Sequence, residues 1–534
     1  MANKALFSST RGALLPATDT VNRHGVGAYD YSPRHKLAQY AVTGCLSNTF
    51  YAAADEQLTT VLELIPELDG EFVAKCAVYA RRTGMKDVPA LLLASLSITS
   101  VQHFKKVFGR VVDNGRMLRN FVQILRSGVV GRKSLGTAPK ALIQRWLNEV
   151  PERKLIEASV GTAPSLQDIV RMVHPTPKDQ TREAFYGWLL GKPVVPRRAA
   201  GASRDSLRSA PVAAERLPAA VQSYIRYQSD RSQELPDVPF QMLTALGLKQ
   251  EEWARVALRG GWQMVRMNLN TFARHGVFAL DGLAERIAAK LVDREAIERA
   301  RVFPFQLMAA YQSLHRTVPA VIREALQDAM EIAIENVPSF GPSVAVCPDV
   351  SGSMSSPVTG ARRGATSVIR CVDVAALMTA AVVRKNKQAI VLPFEVGVRD
   401  VDLSARDSVM TNARKLASIR GGGTNCAAPL EWLKERNLCP DLVILVSDNQ
   451  SWVNARANGP TQLMRVWEEM KTRNHGAKLV CIDLQANGTT QAAERSDVLN
   501  VGGFSDEVFE IVARFTRGEL GTGHWMECIE AVEL

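Results

Sequence analysis

Val344-Ala345-Val346-Cys347-Pro348-Asp349-Val350-Ser351-Gly352-Ser353 is the stretch of this chain whose residue types and spacing could do chemistry. An apolar, β-branched run ends at an acid, and two serines follow at alternate positions. The pattern predicts a buried parallel strand that delivers Asp-x-Ser-x-Ser to the loop at its carboxyl end, where open α/β sheets collect ligands. One carboxylate and two hydroxyls are hard oxygen donors, the set that Mg²⁺ prefers over softer metals. Two later segments could complete such a site. Gly421-Gly422-Gly423-Thr424-Asn425 places a hydroxyl behind a glycine turn, and Leu442-Val443-Ile444-Leu445-Val446-Ser447-Asp448 is a second buried strand ending in an acid. The plainer alternative is that Asp349, Ser351 and Ser353 only cap the next helix.

Catalysis is a weaker use of the same residues. Asp349 after a hydrophobic strand could serve as the nucleophile of a Mg²⁺-dependent aspartate phosphatase. Those sites need a second acid two residues on as proton donor, and Ser351 stands there. Ser351 as a hydrolase nucleophile lacks a Gly-x-Ser-x-Gly elbow and a nearby histidine. The expectation is a metal-binding module and not an enzyme.

The elements that must hold these loops are legible around them. Strands are expected at 344–347, 389–394, 442–446 and 479–483, with helices at 367–386, 407–419, 462–473 and 506–515. Their alternation predicts an α/β, doubly wound, mostly parallel sheet over 341–534. Val337-Pro338-Ser339-Phe340-Gly341-Pro342 marks the boundary before it. Residues 1–30 read as an irregular arm, and 31–340 as helices with few strand signals. Asp87-Val88-Pro89 opens one helix with an acid and a proline in its first turn. Helix pairs joined by short turns predict an all-α stack of HEAT-like hairpins. The small, basic, unpatterned stretch near 194–217 reads as a mobile loop.

At 534 residues the chain exceeds one core, and 46% hydrophobic with 22% charged residues is ordinary for a globular protein. Neither a spanning apolar stretch nor a signal peptide is evident, and the eight cysteines show no Cys-x-x-Cys spacing. A cytoplasmic protein with reduced thiols and no membrane partner is expected. The net charge is +11, yet residues 341–534 hold 21 Lys and Arg against 22 Asp and Glu. The positive excess therefore lies in residues 1–340, which points to a polyanion partner, nucleic acid before membrane.

Asp349-x-Ser351-x-Ser353, then Thr424, then Asp448, on successive loops, resembles the metal-ion-dependent adhesion site of von Willebrand factor A domains, over 343 to about 516. The resemblance implies that Ser351, Ser353 and Thr424 bind Mg²⁺ directly, with Asp349 and Asp448 acting mostly through waters. The usual Asp-Gly is Asp448-Asn449 here, which leaves the shape of the following turn open.

A basic helical domain joined to such a module resembles the Ro family of ribonucleoproteins, in its bacterial branch, whose helical part is the TROVE domain. Gly44-Cys45-Leu46-Ser47-Asn48-Thr49-Phe50-Tyr51 looks like the family's early Gly, four residues, Thr-aromatic-Tyr segment. Pro164-Ser165-Leu166-Gln167-Asp168-Ile169-Val170-Arg171-Met172-Val173-His174-Pro175 is similar to its Ser-x-x-Asp helix ending in His. Gly261-Trp262-Gln263-Met264-Val265-Arg266-Met267-Asn268-Leu269 resembles its Leu-Arg-Asn-Leu helix more loosely.

The resemblance implies a ring of helical repeats. Its hole would take single-stranded 3′ ends of misfolded or structured RNA, and its outside would bind small noncoding Y RNA. The Y RNA can in turn connect to an exoribonuclease such as polynucleotide phosphorylase. The role implied is RNA quality control or processing, with a protein ligand at the metal site. Phosphates would meet Lys140, Arg145 and Arg171, and the family motif selects His174, Arg266 and Asn268 as further RNA contacts. The family's basic pair before the Ser-x-x-Asp helix falls at Ala158 to Gly161, which is uncharged here, and Arg153-Lys154 lies a little earlier. Plainer roles stay open: His174 as a helix C-cap, Arg266 and Asn268 as partners of buried carbonyls, Lys105-Lys106 as a solvated face. A Mg²⁺-dependent adhesion scaffold with no RNA role is the competing function.

Overall fold

The computed structural model describes residues 15–534 apart from 45, 196–210, 301, 303, 336, 342, 361–368, 420, 452–458 and 522. Most of the loop expected at 194–217, and residues 1–14 of the expected arm, lie outside the described residues. Ten strands are found among the rest: β1 (Thr20–Val21), β2 (Gly27–Asp30), β3 (Val194–Val195), β4 (Val212–Ala213), β5 (Val344–Pro348), β6 (Ile390–Val391), β7 (Leu442–Ser447), β8 (Lys478–Asp483), β9 (Thr489–Thr490) and β10 (Val498–Gly502).

Packing divides the chain into two compact units, one made of residues up to Phe72 with Ala288–Glu533, the other of Val73–Ile287. The composition boundary at 337–342 is not where they part. Helices Pro304–Gln312 and Ala320–Ile334 lie against Cys371–Lys385 and Val409–Ala417 of the α/β domain. Glu331 fastens this contact, accepting from the Val409 amide (2.7 Å) and pairing with Arg384 (2.7 Å).

In the first unit the sheet runs β10-β8-β7-β5-β6, every neighbouring pair parallel. Strands β5 and β7 are buried at every position, as unbroken apolar runs should be when helices cover both faces. From β5 the chain goes outward to β6 and returns to β5's other side as β7. The order therefore reverses between β5 and β7, the crevice where α/β sheets bind ligands. The edge strand β10 was not expected, because Asn500 interrupts its apolar run and Gly502-Gly503 ends it.

The arm is less irregular than its composition. β1 pairs with β2, and β2 pairs antiparallel with β9 of the α/β domain. Pro33–Thr43 forms the next helix, capped by Ser32 and packed on β10. From that region the Tyr31 hydroxyl and Gln39 amide both donate to Asp483 Oδ2 at 3.0 Å. The tail at 521–525, unplaced by the sequence, leads into a short helix, Trp525–Glu530. Its Trp525 is buried edge-on to His35.

The second unit is helical apart from the short β3–β4 pair. Helices Asp87–Thr99, Val101–Val111, Gly115–Ser127, Thr137–Glu149, Glu152–Ala158, Leu166–Val173 and Gln180–Leu189 pack largely on their near neighbours in sequence, as stacked hairpins do. Gly115–Ser127 shows why one forms. Asn114 caps it by accepting from the Met117 amide, Gly128 ends it at φ 88°, and Met117, Leu118, Phe121, Val122 and Leu125 make one buried stripe. A Cβ on Gly115 would meet the Ala158 side chain at 2.4 Å, so the glycine sets how closely two of these helices approach.

Candidate metal site and basic helical face

The ends of β5 and β7 bring the expected metal residues together. Asp349 is fully buried; its Oδ1 accepts from the Ser351 amide (2.8 Å) and its Oδ2 from the Ser447 hydroxyl (2.6 Å). Ser351 and Ser353 face each other with their hydroxyl oxygens 3.2 Å apart. The glycine loop crosses this turn, with the Gly352 amide donating to Gly422 carbonyl oxygen at 2.9 Å. A Cβ on Gly421 would sit 2.3 Å from the Val350 carbonyl oxygen, so only glycine permits the crossing. Glu395 accepts from the Gly422 amide, and its carbonyl accepts from Asn425 N–H at 2.7 Å, which fixes the loop that carries Thr424.

Asp448 completes the set and differs from Asp349. Both of its oxygens are buried, and neither finds a hydrogen-bond partner among the described residues. Burial, and then the Asp349 charge beside it, push its pKa up to about 7. Asp349 is raised too, by burial, while its bonds from Ser351 and Ser447 pull the other way. An unpartnered buried carboxylate beside a second one and three buried hydroxyls is costly unless a cation joins them. The residues fit a hard divalent ion, and Mg²⁺ suits an all-oxygen set. Among the described residues no group of three His, Cys, Asp or Glu is arranged to hold a metal.

Asn449 answers the question left by the missing glycine. It takes φ 59°, the left-handed conformation that Asn tolerates better than most residues. Its amide nitrogen donates to the Ser447 hydroxyl (2.9 Å), tying the turn back to the group that holds Asp349. Behind it lies Asp483, pushed up to about 8 by burial. Ser447 was not singled out from sequence, though it directly precedes Asp448.

The basic residues of the helical unit fall into two groups. Gln144 donates to the carbonyl oxygens of Val173 (2.6 Å) and His174 (3.3 Å), and Asn148 to that of Thr176 (2.8 Å). Lys140, Gln144 and Asn148 are four apart and share one helix face. The Lys140 face therefore meets the turn that carries exposed His174. Lys140 also lines a cavity of about 540 Å³ with Arg126, Thr137, Gln144 and Met172. Arg126 is exposed, touches Met172, and was missed because it follows no family motif. Arg171 is exposed in the last turn of the His174 helix. His174 itself is that helix's left-handed cap, with φ 48°, so the capping role and an exposed ring occur together.

The other residues sit differently. Arg145 is five positions beyond Lys140, on another face, and pairs with Glu149 at 4.0 Å. Arg266 is only 8% exposed, lies 5.9 Å over the Trp262 ring, and is lowered to about 10 by burial. Asn268 donates to the Met264 carbonyl oxygen (2.8 Å). Arg153 pairs with Glu157 (3.2 Å), whereas Arg119, from another helix, donates to the Ala158 carbonyl oxygen (3.0 Å) and packs against Gly161. The charge missing from 158–161 in sequence is thus supplied in space.

Fold and site define a class: an α/β domain of von Willebrand factor A type joined to stacked helical hairpins. Residues 343–516 match the Ro60 vWA domain, and residues 234–390 match the TROVE domain. The chain is 24% identical to the RNA-binding protein RO60 of Deinococcus radiodurans, over 93% of this chain and 95% of that one. It is 27% identical to the RNA-binding protein RO60 of Caenorhabditis elegans, over 56% of this chain and 48% of that protein. The crystal structure of the Deinococcus radiodurans RO (RSR) protein superposes with a TM-score of 0.59 at 20% identity, covering 92% of this chain and all of that one. The chain thus carries a Ro60 vWA domain and a TROVE domain, and over most of its length it is similar to an RNA-binding RO60 protein.

Proposed function

We propose that this chain is the protein part of a cytoplasmic ribonucleoprotein that acts in RNA quality control or processing. Its helical body binds small noncoding Y RNA on the basic face and takes single-stranded 3′ ends of misfolded or structured RNA. The observation that carries the reading is the stapling of the Lys140 helix to the His174 turn through Gln144 and Asn148. It holds the exposed His174 turn beside the helix whose Lys140 lines a cleft with Arg126, a grouping that suits phosphate contacts. The positive excess in residues 1–340 and the relatives' names, RNA-binding protein RO60, support it. Arg171 extends the contact, Arg145 offers charge on another face of the Lys140 helix, and Arg266 and Asn268 act from inside the helical unit.

Asp349, Ser351, Ser353, Thr424 and Asp448 hold a divalent ion, Mg²⁺ by donor chemistry, whose service is to offer a positive charge to a protein ligand. An exoribonuclease is the kind of partner such a ribonucleoprotein would recruit. No catalytic step is assigned, since Ser351 stands where a general acid would be needed.

The test is binding of the full chain to a structured RNA with a single-stranded 3′ tail, beside the same RNA made blunt, across a salt series. Tail-dependent affinity that falls steeply with salt is expected. Equal absence of binding to both RNAs, in a folded sample, would leave a metal-dependent adhesion scaffold in its place.

A further inference from the structure

The segment ending Thr49-Phe50-Tyr51 was singled out by sequence and has no part in the roles above. Its position is informative. The Tyr51 hydroxyl lies beside Ser353, near enough to Asp448 and Asp349 to feel both charges. His24 Nε2 is 3.3 Å from that hydroxyl, and the two rings meet edge-on at 5.5 Å. Arg23 holds the same residue from behind, donating to the Tyr51 carbonyl oxygen at 2.7 Å. The strip Asn22-Arg23-His24 is itself fixed beside the site. Asn22 donates to the Ser451 carbonyl oxygen, and the Arg23 amide to Gln450 Oε1 at 3.1 Å, in the turn that follows Asp448.

The cover accounts for an oddity of the site. Ser351, Ser353 and Thr424 are 4%, 5% and 3% exposed, and Asp448 is fully buried. An ion meant to receive a partner's carboxylate needs an open face, and Tyr51 of the same polypeptide stands beside these buried donors. The cover is not deeply anchored. Arg23 pairs with Glu56 at 2.6 Å between half-exposed side chains, and exposed pairs of this kind hold little. Phe50, edge-on to Tyr51 at 4.8 Å, is 57% exposed.

We propose that Tyr51 is a displaceable lid on the metal site, so that a ligand carboxylate, such as that of an acidic peptide, reaches the ion only when Tyr51 swings out. The proposal rests on the metal-site reading above. A neutral phenol is a poor rival to a carboxylate for a cation, which makes the lid selective: weak or neutral ligands stay out, and an anionic one can displace it. A lid that is closed most of the time lowers the apparent affinity of every ligand by the fraction of time it is open.

The experiment compares the full chain with its Tyr51→Ala and Tyr51→Phe variants. Mg²⁺ binding is measured by calorimetry, and binding of a labelled glycine-flanked aspartyl peptide is measured at saturating Mg²⁺. Tyr51→Ala is expected to bind the peptide at least about tenfold more tightly, as for a lid open a tenth of the time or less. Tyr51→Phe should fall between, and EDTA should abolish the binding. Should Tyr51→Ala not fold, Arg23→Ala, which loosens the same cover from outside, is expected to give the same direction of change. Equal peptide affinity in the Mg²⁺-loaded wild type and the opened variants overturns the lid and leaves the metal reading intact. Tighter peptide binding that persists in EDTA also overturns it, by placing the peptide elsewhere. Failure of every form to bind Mg²⁺ removes the metal site and the lid together.

Discussion

The loop proposed to hold a metal and the helical face proposed to meet RNA ask different things of their residues. At the loop each of the five donors is at most 5% exposed, and backbone and side-chain hydrogen bonds hold the loops that carry them. On the helical face Arg126, Arg171 and His174 are exposed, and Arg119 reaches its place from a helix distant in sequence. A small cation binds a fixed set of oxygens at fixed distances, so its site is built to tenths of an ångström. A polyanion offers many equivalent phosphates, so charge can be supplied from whichever helix reaches. The contrast teaches that the first kind of site depends on loop geometry and the second on the sum of charge over a surface.

That contrast can be broken by experiment, most sharply at the loop. Replacing both hydroxyls, Ser351→Ala with Ser353→Ala, is expected to lower Mg²⁺ affinity at least about 100-fold while RNA affinity stays where it was. Calorimetry with Mg²⁺ beside an RNA-binding assay reads both. A parallel loss of RNA binding in a folded variant would mean that the two regions do not work separately. On the helical face, Arg126→Glu with Lys140→Glu is expected to weaken RNA binding by about tenfold or more and to flatten the salt slope by about two. Mg²⁺ binding should not move. An unchanged salt slope would place the phosphates elsewhere.

A third handle is Asp483, which is pushed up to about 8 by burial. Its folded pKa lies above its unfolded value, so the fold binds the extra proton between them. The stability this contributes is complete below about pH 4 and is lost as pH rises through about 8. Urea unfolding of the wild type should therefore lose stability between these limits more steeply than Asp483→Asn, by up to about 1.4 kcal/mol per pH unit. Equal slopes would show that Asp483 is already ionised in the fold, held by Tyr31 and Gln39.

What the sequence revealed follows the same division. Asp349, Ser351 and Ser353 lie within five residues, and Thr424 and Asp448 each end a recognisable local pattern, so a parallel sheet was enough to bring them together. The turn at Asn449 was legible as a question, and its φ of 59° gives the answer. Tyr51 was visible as part of a motif but not as a neighbour of Ser353, because nothing local in either segment encodes the other. Arg119 at Gly161 was hidden for the same reason. β1 and β2 were read as irregular because strands of two and four residues leave too little periodicity to detect.

The bonds from Tyr31 and Gln39 to Asp483 join residues 452 and 444 positions apart. A ribosome adding roughly 5–20 residues per second supplies Asp483 on the order of half a minute or more after Tyr31. Throughout that interval the Pro33–Thr43 helix has no β10 to pack on, and before it ends every residue of the Val73–Ile287 unit has been made. The first helix among the described residues is thus among the last to reach its place. Its apolar face, with Leu37, Tyr40 and Ala41 waiting in the open, is the surface a newborn chain would have to shield.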